Sequence, residues 1–143
     1  MQKTFSEVPF ELEFFKISEF DSPDLPGSGG KMQVSTLLKL VQARKLAGVP
    51  FVINSGYRTP EHNAKLKDSV KNSSHIFGYA ADISTPTPDI QRKIIAACVL
   101  AGFKRIGIGR RYIHVDDDPK KTSPAVWTYG GLKLTFNPFK LKL

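Results

Sequence analysis

Ser73-Ser74-His75-Ile76-Phe77-Gly78-Tyr79-Ala80-Ala81-Asp82-Ile83 sets one imidazole and one carboxylate a short step apart, and a second imidazole follows in Tyr112-Ile113-His114-Val115-Asp116. Asp82 sits between Ala81 and Ile83 on a predicted strand, where an unpartnered carboxylate meets a large desolvation cost that an adjacent cation removes. Small Ala80 and Ala81 leave room for such a cation. Ile113 and Val115 flank His114, so strand alternation turns its ring away from both. With those two in a core, His114 faces a cleft. Two histidines and an aspartate form a three-ligand set suited to zinc, with the fourth position left for water. Water in such a position becomes a nucleophile near neutral pH. As composition alone the trio is a weak signal. A surface-loop histidine at position 75 and a satisfied structural histidine at position 114 are the ordinary alternatives.

Helical spacing of Val34, Leu37, Leu38, Val41 and Leu46, stopped by Gly48 and Pro50, predicts a helix over 33–47. Phe51-Val52-Ile53-Asn54 reads as a buried strand. Thr59, followed by Pro60 and Glu61, caps a short helix; Thr87-Pro88-Asp89 opens a longer one to Leu100, closed by Gly102. Residues 103–108 and 112–115 read as strands around Gly109-Arg110-Arg111, and 126–129 as another. Residues 10–20 alternate enough to predict a short strand, and 132–136 an edge strand. Residues 21–30 are dense in turn formers and read as loop, either a flexible insert near the cleft mouth or a plain surface connection. The fold class is α+β: a small, mostly antiparallel sheet backed by helices. One domain spans 1–143, with a core over about 33–130, an N-terminal strand and loop at 1–32, and a basic tail at 131–143. The end of that tail, 139–143, reads as a frayed or edge-packed terminus, or as a contact with an anionic surface.

With 143 residues, 41% of them hydrophobic, a single domain can bury a full core without staples. The one cysteine, Cys98, excludes an intrachain disulfide and a cysteine-based zinc site, and its apolar setting reads as a buried structural thiol. The net charge of +8 favours an anionic partner. The basic residues show no nucleic-acid-binding motif, so nucleic acid is not the expected partner. No apolar run is long enough for a membrane span, and the first residues lack the pattern of a signal peptide. A monomer is expected.

The order His75-x-x-Gly78-x-Ala80-x-Asp82, with Ser73 ahead of it, resembles the M15 family of zinc peptidases. That family holds D-alanyl-D-alanine carboxypeptidases and dipeptidases, phage L-alanyl-D-glutamate endolysins and, by fold, the hedgehog signalling domain. Ser55-Gly56-Tyr57-Arg58-Thr59, Gly107-Ile108-Gly109 and His114-Val115-Asp116 extend the resemblance over about residues 50–130. It implies a hedgehog/DD-peptidase-like fold with one Zn²⁺ held by His75, Asp82 and His114. It also implies hydrolysis of bacterial peptidoglycan stem or cross-link peptides, a substrate whose anionic cell-wall surface suits the charge. Delivery to the wall would then come from elsewhere, as for a phage-encoded protein or a chain trimmed of its leader.

The resemblance gives Arg58 to substrate carboxylate binding and transition-state stabilisation; an arginine packed on Tyr57 is the plain alternative. It gives Ser73 to a substrate hydrogen bond, against a loop-capping serine. Several branches place Glu or Asp three residues before the second zinc-ligating histidine, where this chain has Arg111, which cannot accept a proton. Other branches carry His-x-Asp, so Asp116 is the expected general base, or else it orients a ligand from behind. Asp117 and Asp118 are rivals, although Asp118-Pro119 reads as a turn, and His62 is read as structural or exposed. The alternative function is a non-catalytic zinc-stabilised binding module of the same fold, which Arg111 favours. A basic nucleic-acid-binding protein with incidental histidines is a third reading. With no lid visible beyond 21–30, an endopeptidase's open groove is favoured over a carboxypeptidase's closed end.

Overall fold

Leu37, Leu40, Val41, Ala43 and Ala47 share the buried face of helix α1 (Val34–Ala47), which ends on Gly48 in a left-handed conformation. The computed structural model describes residues 2–67 and 69–143. Among those residues α1 is followed by strand β1 (Ile53–Ser55), helix α2 (Pro60–Lys65), strand β2 (Ala80–Ser84) and helix α3 (Pro88–Leu100). Strands β3 (Arg105–Ile108), β4 (Tyr112–Asp116) and β5 (Ala125–Thr128) complete the fold. The Thr59 hydroxyl accepts from His62 N at 3.0 Å and the Thr87 hydroxyl from Ile90 N at 3.2 Å, so both expected caps form. Helix α1 keeps its predicted span but not its predicted face. Leu38 and Leu46 are exposed, while Leu40 and Ala43 are fully buried.

The five strands lie in the order β1-β2-β4-β3-β5, antiparallel except for the β3/β5 pair. Alternation then sorts β2, β3 and β4. Ala81 and Ile83 of β2, Ile106 and Ile108 of β3, and Ile113 and Val115 of β4 face the core with Ile94, Ile95 and Cys98 of α3. Each fully buried aliphatic side chain there contributes about 1.5–3 kcal/mol. Helices α1 and α3 pack on each other and cover this face. The intervening residues Asp82, His114, Asp116, Arg105 and Gly107 face the other way, towards the cleft.

Three local expectations are corrected. Residues 10–20 make no strand. Their aromatic side chains reach the core from irregular backbone that ends in a 3₁₀ turn, Ile17–Phe20, with Phe15 and Phe20 buried. Residues 132–136 make no edge strand either. Gly130 and Gly131 turn the chain at positive φ, and Phe136, Phe139 and Leu141 pack on the core while Lys140 and Lys142 stay exposed. The 21–30 segment is a brace instead of a flexible insert. Asp21 accepts from Gly27 N and Gly29 N, Ser22 Oγ accepts from Thr59 N, and Thr59 Oγ1 donates to Asp24 at 2.7 Å. That brace fixes the corner carrying Arg58.

Candidate metal centre

Strand register places the central residues in one row across the whole sheet: Ser55, Asp82, His114, Gly107 and Trp127 are successive partners on β1, β2, β4, β3 and β5. Asp82 and His114 are therefore directly opposite each other. Asp116 and Arg105 are partners in the next row. Gly107 is needed here, because a Cβ on it would lie 2.5 Å from Trp127 Nε1. The missing side chain lets the Trp127 ring lean to within 5.5 Å of His114, centroid to centroid.

His75 comes from the turn before β2. Gly78 closes that turn at φ 77°, and a Cβ there would strike Lys31 O at 2.2 Å. Its tight approach is thus to the 31–32 backbone. His75 Nδ1 lies 2.7 Å from Gly56 O, an arrangement that leaves Nε2 facing Asp82 Oδ1 at 3.2 Å. His114 Nδ1 faces the same oxygen at 3.0 Å, and its Nε2 meets Asp116 Oδ2 at 2.7 Å. One ligand atom from each of His75, Asp82 and His114 falls within 4.8 Å of the others, so the three could hold a single metal ion. The donor set fits: each imidazole has one nitrogen engaged from behind and the other turned towards Asp82, as metal-binding histidines are held.

Charges continue on both sides of the trio. Asp82 Oδ2 takes Arg58 Nη2 at 3.1 Å, while Arg58 also donates to Ser55 and Asn63. Three of its N–H groups are thus occupied by the protein, and the guanidinium still lines the cleft. At the other end Asp116 accepts from Arg105 Nε at 2.8 Å and from Asp118 N at 3.2 Å. Burial acts to raise the Asp82 pKa, but His75 and the hydrogen bonds from both histidines outweigh it and hold the carboxyl well below the usual range. Burial pushes His75 down, Asp82 notwithstanding. Burial opposes charge on His114 too, yet hydrogen bonds to Asp116 and Asp82 leave its pKa raised. Asp116 is lowered, its burial outweighed by His114 and Arg105.

The cleft around the trio has a volume of about 720 Å³. Arg58, Ser73, His75, Asp82, His114 and Asp116 all line it. Ser73 Oγ accepts from His75 N at 3.3 Å, so it also caps the ligand turn. Asp117 and Asp118 do not line this cleft. Asp117 pairs with Lys39 and Thr36 on α1, and Asp118 accepts from Ser74 Oγ at 2.7 Å. His62 lies on α2 and does not line the cleft. Missed by sequence reasoning were Arg105, Tyr112, Trp127 and Tyr129, which also line the cleft. Part of the signal was present: residues 112, 114 and 116 share one parity, and glycines at 107 and 109 open the slot that aromatic rings fill, whereas Arg105 joins them only through its pairing with Asp116.

The family model described as peptidase M15 matches residues 13–116. The chain belongs to the peptidase M15 family. The match assigns it to the peptidases and takes in the whole His-Asp-His trio, Arg58 and Asp116 of this M15 domain. No curated protein matches the chain.

Proposed function

We propose that this M15 chain is a zinc-dependent peptidase acting on bacterial peptidoglycan stem or cross-link peptides. The observation that carries the reading is the convergence of His75, Asp82 and His114 around one point in an open cleft, with the other nitrogen of each imidazole engaged from behind. Zn²⁺ held by these residues would polarise the scissile carbonyl and acidify water near neutral pH. Arg58 anchors Asp82 through one guanidinium edge and offers its remaining N–H groups to a substrate carboxylate or developing oxyanion. A donor of that kind contributes about 3–4 kcal/mol to catalysis. Ser73 holds the His75 turn and presents its hydroxyl to bound peptide.

Asp116 takes the orienting role in this reading, not that of general base. Its carboxylate lies behind His114, on the nitrogen turned away from Asp82, and its oxygens already accept from His114, Arg105 and Asp118 N. The substrate identity draws on the motif resemblance and on the +8 charge, which suits an anionic wall. Mass spectrometry of peptidoglycan fragments with and without a chelator tests it. New amino termini that vanish on chelation are expected; an unchanged digest with zinc present would refute the reading.

One observation favours a second reading, a zinc-stabilised binding module. Among the described residues, Asp82 and Asp116 are the only carboxylates lining the cleft, and both are engaged. Zinc content together with the unchanged digest would select this reading.

A further inference from the structure

We infer that the groove between helix α3, the β3–β4 turn and the C-terminal tail is a docking site for a polymer of polyol phosphates, separate from the cleft around the trio. The bacterial wall as its setting rests on the peptidase reading; the choice of phosphate rests on the groove. Charge is divided unevenly along the chain. Residues 1–89 hold ten basic and ten acidic side chains, whereas 90–143 hold eleven basic and three acidic ones. The whole net charge of +8 therefore belongs to the second part. Its three carboxylates are engaged within the fold, Asp116 by Arg105 and His114, Asp117 by Lys39 and Asp118 by Ser74. Arg92, Arg110 and Lys133 have no ion-pair partner among the described residues.

The fold gathers these three exposed cations in one groove of about 280 Å³, with no carboxylate among its described lining residues. None of those residues lines the cleft around the trio. The walls are tied together. Gln91 Nε2 donates to Gly109 O at 2.8 Å, which joins α3 to the turn bearing Arg110. Thr128 Oγ1 donates to Leu132 O at 2.7 Å, which fixes the chain just before Lys133. The Arg92 guanidinium lies over the Phe136 ring at 5.0 Å and joins α3 to the tail. Like charges held in one concavity repel, and an anion placed between them removes that repulsion. Guanidinium forks match phosphate oxygens in pairs. Ile108, Leu132 and Leu134 add an apolar lining that suits the carbon chain between successive phosphates. The ring in the groove, Phe136, already carries Arg92, so a nucleobase finds no platform of the kind that single-stranded nucleic acid stacks on.

The test is titration calorimetry of the full chain with polyglycerol phosphate, with a single-stranded oligonucleotide of matched phosphate number, and with phosphatidylglycerol vesicles. Polyglycerol phosphate is expected to bind the most tightly of the three. Arg110→Gln combined with Lys133→Gln removes two charges from the groove and leaves the Arg92–Phe136 contact in place. That double variant should bind the polymer about tenfold more weakly. Lys104→Gln combined with Lys120→Gln removes the same charge from exposed lysines outside the groove, and should weaken binding less than about twofold. Arg110→Lys should keep most of the affinity that Arg110→Gln loses. No binding of polyglycerol phosphate, equal losses in the two double variants, or tighter binding of the oligonucleotide or the vesicles would overturn the inference. Cleavage of soluble stem peptides by the same proteins keeps the two readings apart. Cleavage without polymer binding sinks the docking site alone, and polymer binding without cleavage sinks the peptidase reading alone.

Discussion

Asp116 faces the cleft as strand alternation predicts, and its partners support the orienting role proposed for it over that of general base. Strand parity put it on the His114 face, and the structure adds that it bonds the far nitrogen of that ring. Asp116→Asn should therefore weaken zinc binding about 10- to 100-fold. A general base would behave differently, losing turnover with metal affinity unchanged, so chelator competition measured beside kcat separates the two roles. His114 gives a pH prediction of definite sign. Its pKa in the metal-free site is raised above 6.5, because hydrogen bonds to Asp116 and Asp82 outweigh burial. Proton and metal compete for imidazole, so zinc affinity is full above that raised value and falls as pH drops through it. The fall should begin at a higher pH than for a free imidazole, while His75, shifted down by burial, competes only at lower pH. Chelator competition from about pH 8 to about pH 5 measures this, and a flat profile would contradict it. The candidate metal residues were legible through the motif resemblance, with strand alternation turning Asp82 and His114 to one face. Arg105 and Trp127 were not, since their approach depends on which strands become neighbours.

At the level of elements, spacing and capping located the helices while tertiary packing chose their faces. Helix α1 offers leucines all round, at 37, 38, 40 and 46, and only the partner helix decides which turn inward. Leu40 is fully buried and Leu38 is exposed at 53%. Leu40→Ala is therefore expected to cost about 2–5 kcal/mol. Leu38→Ala should stay within about 0.5 kcal/mol, and urea melts of both proteins check the difference. The missing strands at 10–20 and 132–136 share a cause. Alternating apolar residues record contact with a core, which irregular backbone satisfies as well as a strand does. Strand β5 was found, but its parallel pairing with β3 was not legible, because a return past a loop leaves no short-range mark.

Across the whole molecule, core and site occupy opposite faces of one sheet. Ile83, Ile106, Ile113 and Val115 pack under α1 and α3, while Asp82, His114 and Asp116 on the same strands face the cleft. The core is complete without a metal, so the metal-free protein should remain folded, unlike small domains whose folding is metal binding. The proposed zinc would then stabilise by mass action alone. At a free concentration about a thousandfold above its Kd it adds about 4 kcal/mol. For a chain of this length that raises Tm by roughly 10 °C. Calorimetry should show one cooperative transition with or without chelator, displaced downward when zinc is removed. His75→Ala should melt cooperatively and show almost none of the zinc-dependent shift. Loss of all cooperative melting on chelation would mean that the cleft face holds the fold together, against the division of labour between the two faces of the sheet.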